Sequence, residues 1–192
     1  MIARIVDVDA LPVGFPTHRH SAAFWELLGR TVATYGFLEE VLGKAVFSFT
    51  ATRRYDPAEV DAAFEKWLPT LEKALTNPLG KLIDLYGKAV RDHPEVVVDG
   101  LDALLDHLRE AAKLRNVLCH GSWSVPDVNG ASLPLFVDQN LNVFDTRVDC
   151  AFLEQVRRHV AEVSCSVINS VTQMGWQFPG SDGPGVTIAN RQ

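Results

Sequence analysis

The sequence predicts an all-α bundle of about five helices with a small β-hairpin insertion near residues 122–145. Three observations lead there. Apolar residues recur at helical spacing through most of the chain. Helix-start signals stand at Ser21, Asp56-Pro57, Asn77-Pro78 and Asp149. The period changes after Gly121, where Asn129-Gly130 separates two short runs of strand character.

Residues 1–20 read as an extended lead-in, because Pro12, Gly14 and Pro16 oppose a helix. Ser21 is the expected N-cap of a first helix reaching about Thr52, with Phe24, Leu28, Thr31, Tyr35, Leu38, Leu42, Val46 and Phe49 along one stripe. Asp56-Pro57-Ala58-Glu59 supplies a cap, a first-turn proline and a capping-box acid for a second helix. That helix is expected to turn Val60, Phe64, Trp67 or Leu68, and Leu71 inward. Asn77-Pro78 opens a shorter third helix through Leu79, Leu82, Ile83 and Tyr86, weakened by Gly80 and Gly87. A fourth is expected from about Glu95 to His120, stopped by Gly121.

Beyond it, Trp123–Val125 and Leu133–Val137 form the predicted hairpin about a type I′ turn, and Leu141–Phe144 is the candidate third strand. Asp149 caps the last helix, which carries Phe152, Val156, Val160, Val163, Val167 and Val171. The bundle with its insertion thus spans residues 21–174. A Gly/Pro-rich tail follows over 175–192, with Trp176 and Phe178 able to dock.

The chain has 192 residues, 47% hydrophobic and 22% charged, enough for one core without disulfides or a structural metal. No apolar run approaches the roughly 18 residues of a membrane span. Asp7 and Asp9 interrupt the slightly apolar start before an export-signal core forms. Cys119, Cys150 and Cys165 are odd in number and lack CxxC spacing, so a reducing cytoplasmic setting is expected and no metal or other cofactor is. The net charge of −6 repels nucleic acid on average and confines any RNA contact to a local patch. P-loop, dinucleotide-binding, zincin and nucleophile-elbow motifs are all missing from the sequence.

The informative segment is Lys113-Leu114-Arg115-Asn116-Val117-Leu118-Cys119-His120-Gly121. With Leu101 at 0° on a helical wheel, Arg115 falls at about −40°, inside the apolar stripe, and Cys119 at about 0°. A guanidinium there needs a partner or a water-filled cleft. On the first helix Glu39 is better placed than Glu40 to supply that partner. Leu114 and Val117 point the opposite way, so this end of the helix is expected to be covered on both sides, a second subunit being one way. A buried, inert thiol is the expected state of Cys119.

The segment Arg115-Asn116, three residues, then His120-Gly121 resembles the signature of the HEPN superfamily (higher eukaryotes and prokaryotes nucleotide-binding domains). The likeness extends as architecture over residues 21–172, while its sharp part is the motif. The resemblance implies a homodimeric bundle. In many members it is a metal-independent ribonuclease cleaving single-stranded RNA, in others a non-catalytic RNA- or nucleotide-binding or scaffold domain. It also implies a prokaryotic defence or toxin–antitoxin setting, with an antitoxin protein as partner. In the catalytic reading Arg115 holds phosphate, His120 moves protons, and Asn116 and Glu39 orient them. Arg115 and His120 lie about 140° apart on a regular helix, so they converge either through fraying at Cys119 or across a two-fold axis. The alternative is structural, with both residues as cations at a helix C-terminus, Arg115 paired to Glu39.

Three other features complete the reading. His18-Arg19-His20 alternates like a metal-binding strand but lacks a third ligand nearby. Arg157 and Arg158 are cations able to guide phosphate if the last helix borders the cleft. Trp25, Trp67, Trp123 and Trp176 read as core or interface anchors.

Overall fold

A computed structural model describes residues 6–53 and 55–181. Among them the chain forms helices α1 (Ala22–Ala51), α2 (Val60–Thr76), α3 (Leu79–Arg91), α4 (Leu101–His120) and α5 (Cys150–Thr172). Two short strands, β1 (Ser122–Trp123) and β2 (Pro134–Leu135), lie between α4 and α5. The all-α bundle with a small hairpin is therefore the observed fold.

Helix α1 is the hub. It packs along α5 and also touches α2, α3 and α4. Ser21 caps it, its Oγ accepting the Phe24 N–H at 3.2 Å, and Asp149 caps α5 through the Phe152 N–H at 2.7 Å. The expected α1 stripe is buried from Phe24 through Phe49 against Leu153, Val156, Val160, Val163, Val167 and Val171 of α5. Thr31 joins the two helices, its hydroxyl lying 2.8 Å from the Leu27 carbonyl and 3.3 Å from that of Leu153. A buried hydroxyl needs such partners, since leaving it unpaired costs about 1–3 kcal/mol.

Several expectations are corrected. Residues 6–20 are a chain of tight turns rather than an extended lead-in. Phe15 N–H bonds to the Pro12 carbonyl and Thr17 N–H to that of Gly14, whose φ of +79° suits a glycine. Helix α2 begins at Val60, after a turn in which Asp56 accepts the Ala58 N–H. Its Val60 and Phe64 are exposed, and only Ala74 is fully buried. The small Ala74 sets the contact, because its carbonyl lies 3.1 Å from where a Cβ on Gly43 would stand.

Helix α4 starts at Leu101 instead of Glu95. Gly100, with φ +70°, precedes it, and Val96 and Val98 are half-buried against the core in irregular backbone. Gly87 proves to be a packing residue, since a Cβ there would stand 2.9 Å from Leu105 Cδ1.

In the hairpin Ser122 pairs with Leu135 and Trp123 with Pro134. Only Gly130 of the Asn129-Gly130 pair has a positive φ, so the turn is not type I′. Asp127 organises it instead, Oδ1 accepting the Asn129 and Ala131 N–H groups at 2.9 and 3.1 Å. Residues 141–144 contribute a single bridge, Val137 to Val143, and not a strand. Trp176 packs against Phe49 and His93, and Phe178 is buried. The rest of the expected tail, 182–192, lies outside the described residues. No helix among the described residues is long and apolar enough to cross a membrane.

Candidate functional site

The buried face of α4 rotates as the helix advances. Leu105 and Leu108 face the core near its start. Ala111, Val117 and Leu118 are the buried residues near its end. The direction set by Leu101 and Leu105 therefore turns toward solvent over the last turns. Arg115 emerges half-buried, while Asn116, Cys119 and His120 are exposed. Cys119 is thus not the buried core thiol expected from the wheel. Val117 is only 4% exposed within a single chain, so its burial requires no second subunit.

Arg115 meets the carboxylate expected for it. Its Nη2 lies 3.7 Å from Glu39 Oε1, with side chains 30% and 34% exposed. Its Nη1 also donates weakly to Asn116 Oδ1 at 3.4 Å. Glu40 instead pairs with Lys44 on the outer face of α1. The structure thus brings Arg115, Asn116 and Glu39 together at the α1–α4 seam. His120 stays apart from all three in hydrogen bonding. Helix α4 is regular through His120, so the two motif residues do not converge by fraying. Chemically, the seam offers a guanidinium with free N–H groups facing water, and the helix end offers an exposed imidazole.

Gly121 sets the path of the chain beyond α4. A Cβ there would stand 2.6 Å from the Val117 carbonyl oxygen and 2.9 Å from Pro134 Cβ. The hairpin therefore turns back tightly against the end of α4, beside His120. Close to this seam, Tyr35 of α1 buries its hydroxyl without a hydrogen-bond partner. Burial, and then the nearby Cys119, raise that phenol's pKa, so it stays protonated.

His18, Arg19 and His20 form no metal site, and no group of three or more metal-ligating side chains is found among the described residues. His20 joins an aromatic cluster instead. Its ring stacks on Phe24 at 4.5 Å and meets Trp25 and Trp123 edge-on at 5.2 and 6.3 Å. Burial lowers its pKa, which favours the neutral ring. Arg157 and Arg158 are exposed, and their neighbour His159 meets His107 at 5.8 Å. That contact is about 12 Å along α4 from Arg115, by helix rise.

The aromatic cluster joins two stretches that the sequence gives no reason to pair, although both, Ala10 to Trp25 and Gly121 to Pro126, are free of carboxylates in an acidic chain. Comparison with protein-family models, with curated proteins and with solved structures finds no match to this chain.

Proposed function

We propose that the chain is a HEPN-like, metal-independent endoribonuclease that cleaves single-stranded RNA as a homodimer. The observation that supports this best is the pairing of Arg115 with Glu39 and Asn116 at the α1–α4 seam, with His120 exposed at the end of the same helix. Glu39 aims the guanidinium, and the remaining N–H groups grip a phosphodiester in two places. An imidazole takes the proton of the 2′-hydroxyl as its oxygen attacks phosphorus. A second imidazole, from the other copy, protonates the departing 5′-oxygen. The strand is left with a 2′,3′-cyclic phosphate and a free 5′-hydroxyl. Such proton transfer is worth about 10²–10⁴ in rate, and Arg115 offsets the charge that grows on the non-bridging phosphate oxygens. Because α4 holds Arg115 and His120 on different sides, the two-fold axis is what joins them. A cytoplasmic toxin–antitoxin or defence role belongs to the same proposal.

The Arg115–Glu39 pair equally favours a second reading, a homodimeric RNA- or nucleotide-binding scaffold in which the pair only joins α1 to α4. Labelled single-stranded RNA incubated with the protein in EDTA separates the two. Cleavage lost in both Arg115→Ala and His120→Ala, with folding intact, supports the nuclease. Uncut RNA, with Arg115→Ala unfolded and His120→Ala unchanged, supports the scaffold. A monomer in solution would sink the composite site.

A further inference from the structure

The turns of the N-terminal segment and the start of the hairpin face each other across a cavity of about 630 Å³. That volume falls within the range that encloses small organic ligands. The cavity's walls are unlike the rest of the molecule. Phe15, Trp25 and Trp123 supply aromatic surface, Arg19 a cation, and His18 and His20 imidazoles. Among the described residues no carboxylate lines it, although the chain as a whole carries −6.

The aromatic surface is held in place. Trp25 Nε1 donates to the Thr17 carbonyl at 2.8 Å, and the Trp25 and Trp123 rings meet edge-on at 6.5 Å. His20, stacked on Phe24 at 4.5 Å, is fixed in the same wall. Gly121 and Ser122 also border the cavity, immediately after His120.

Flat apolar rings favour a planar aromatic ligand, and the uncompensated positive charge favours a phosphate beside it. We propose that this cavity is a subsite for one nucleotide of the RNA strand, its base against the Trp25–Trp123 wall and Phe15, its phosphate on Arg19. A strand seated there carries its neighbouring phosphate past the end of α4. The inference rests on the RNA reading of the α4 motif for its substrate class, and on the cavity alone for its chemistry.

Calorimetric titration of the whole protein with 5′-AMP, with inorganic phosphate and with a 2′-O-methyl oligoribonucleotide tests it, the last being proof against 2′-hydroxyl chemistry. Both nucleotide probes should bind, and phosphate alone should bind far more weakly. Phe15→Ala and Arg19→Ala, both in the exposed turns, should each weaken the nucleotide probes by about tenfold while Lys81→Ala, on the exposed side of α3, does not. Circular dichroism confirms that the variants are folded. Failure of both nucleotide probes to bind, binding no better than that of phosphate, or cavity variants that bind as tightly as the unaltered protein overturns the subsite. If RNA stays uncut but the nucleotide probes bind as described, the subsite stands and the nuclease falls. If RNA is cut with unchanged KM in both cavity variants, the nuclease stands and the subsite falls.

Discussion

Arg115 on α4 and Glu39 on α1 face each other at 3.7 Å, each about one-third exposed, and so form an ion pair across the seam between the two helices. A pair this wet is screened by solvent and adds little to folding. Glu39→Gln should therefore cost no more than about 1 kcal/mol in urea unfolding. In the proposed nuclease the same change should lower kcat, because the guanidinium loses its aim. A stability loss of about 3 kcal/mol or more would mark a desolvated structural pair instead.

Two buried tyrosines should respond differently to the same substitution. The Tyr86 hydroxyl donates to Ser170 Oγ at 2.7 Å, and Ser170 donates onward to the Val167 carbonyl. Burial pushes the Tyr86 pKa up to about 12, the Ser170 hydrogen bond opposing the rise. Tyr86→Phe should lose about 0.5–1.5 kcal/mol. Tyr35 has no partner to lose, so Tyr35→Phe should be neutral or stabilising. Chemical denaturation of both variants decides, and equal losses would contradict the unpaired hydroxyl at Tyr35.

Glycine-to-alanine changes divide in the same manner. Gly36 has open space around its missing side chain, so Gly36→Ala should stabilise α1 by about 0.5–1 kcal/mol. At Gly121 the obstacles are a backbone carbonyl and a proline ring, neither of which yields readily. Gly121→Ala should cost about 1–3 kcal/mol and shift the hairpin. Melting temperatures, with amide chemical shifts across residues 122–135, report both effects.

Acid should destabilise the protein through His93. This ring is 4% exposed, its Nδ1 accepts the Glu95 N–H at 3.2 Å, and its Nε2 lies 3.5 Å from Thr52 Oγ1. Burial and then the Arg53 charge lower its pKa below the ordinary 6.5, against a smaller opposing effect of Glu95. The unfolded chain therefore takes up a proton more readily than the folded one. This contribution to stability is full above pH 6.5 and declines as the pH falls below it, levelling off beneath the lowered folded pKa. His93→Asn keeps an acceptor for the turn and should flatten melting temperature against pH, leaving the contribution of His20. An unchanged slope would clear His93 of the role.

The parts of this fold that were legible are those ruled by local chemistry. Ser21 and Asp149 cap where their side chains predict, and the α1 stripe lies buried as its period requires. Glu39 was separable from Glu40 by angle alone, and only Glu39 faces Arg115. Illegible were the features set by distant packing. The wheel assumes one buried direction, whereas α4 has neighbours that change along its length, so Cys119 emerged into solvent. Phe64 met the periodic criterion for core yet lies outside it, because α2 docks through Ala74 and Gly43. The aromatic cavity joins residues about 100 positions apart, a juxtaposition that no local period encodes.

The partnership of α1 with α5 has a consequence during synthesis. The apolar stripe of α1 leaves the ribosome well before α5, the helix that covers more of it than any other, with Leu153 supplying the carbonyl that Thr31 approaches. At translation speeds of about 5–20 residues per second, α1 waits several seconds with that stripe uncovered. The nascent chain is therefore a natural client for a chaperone that shields apolar helices. Slowing translation between the codons for Ala51 and Cys150 should lengthen that exposure and lower the yield of native protein, with no change in the stability of the molecules that do fold.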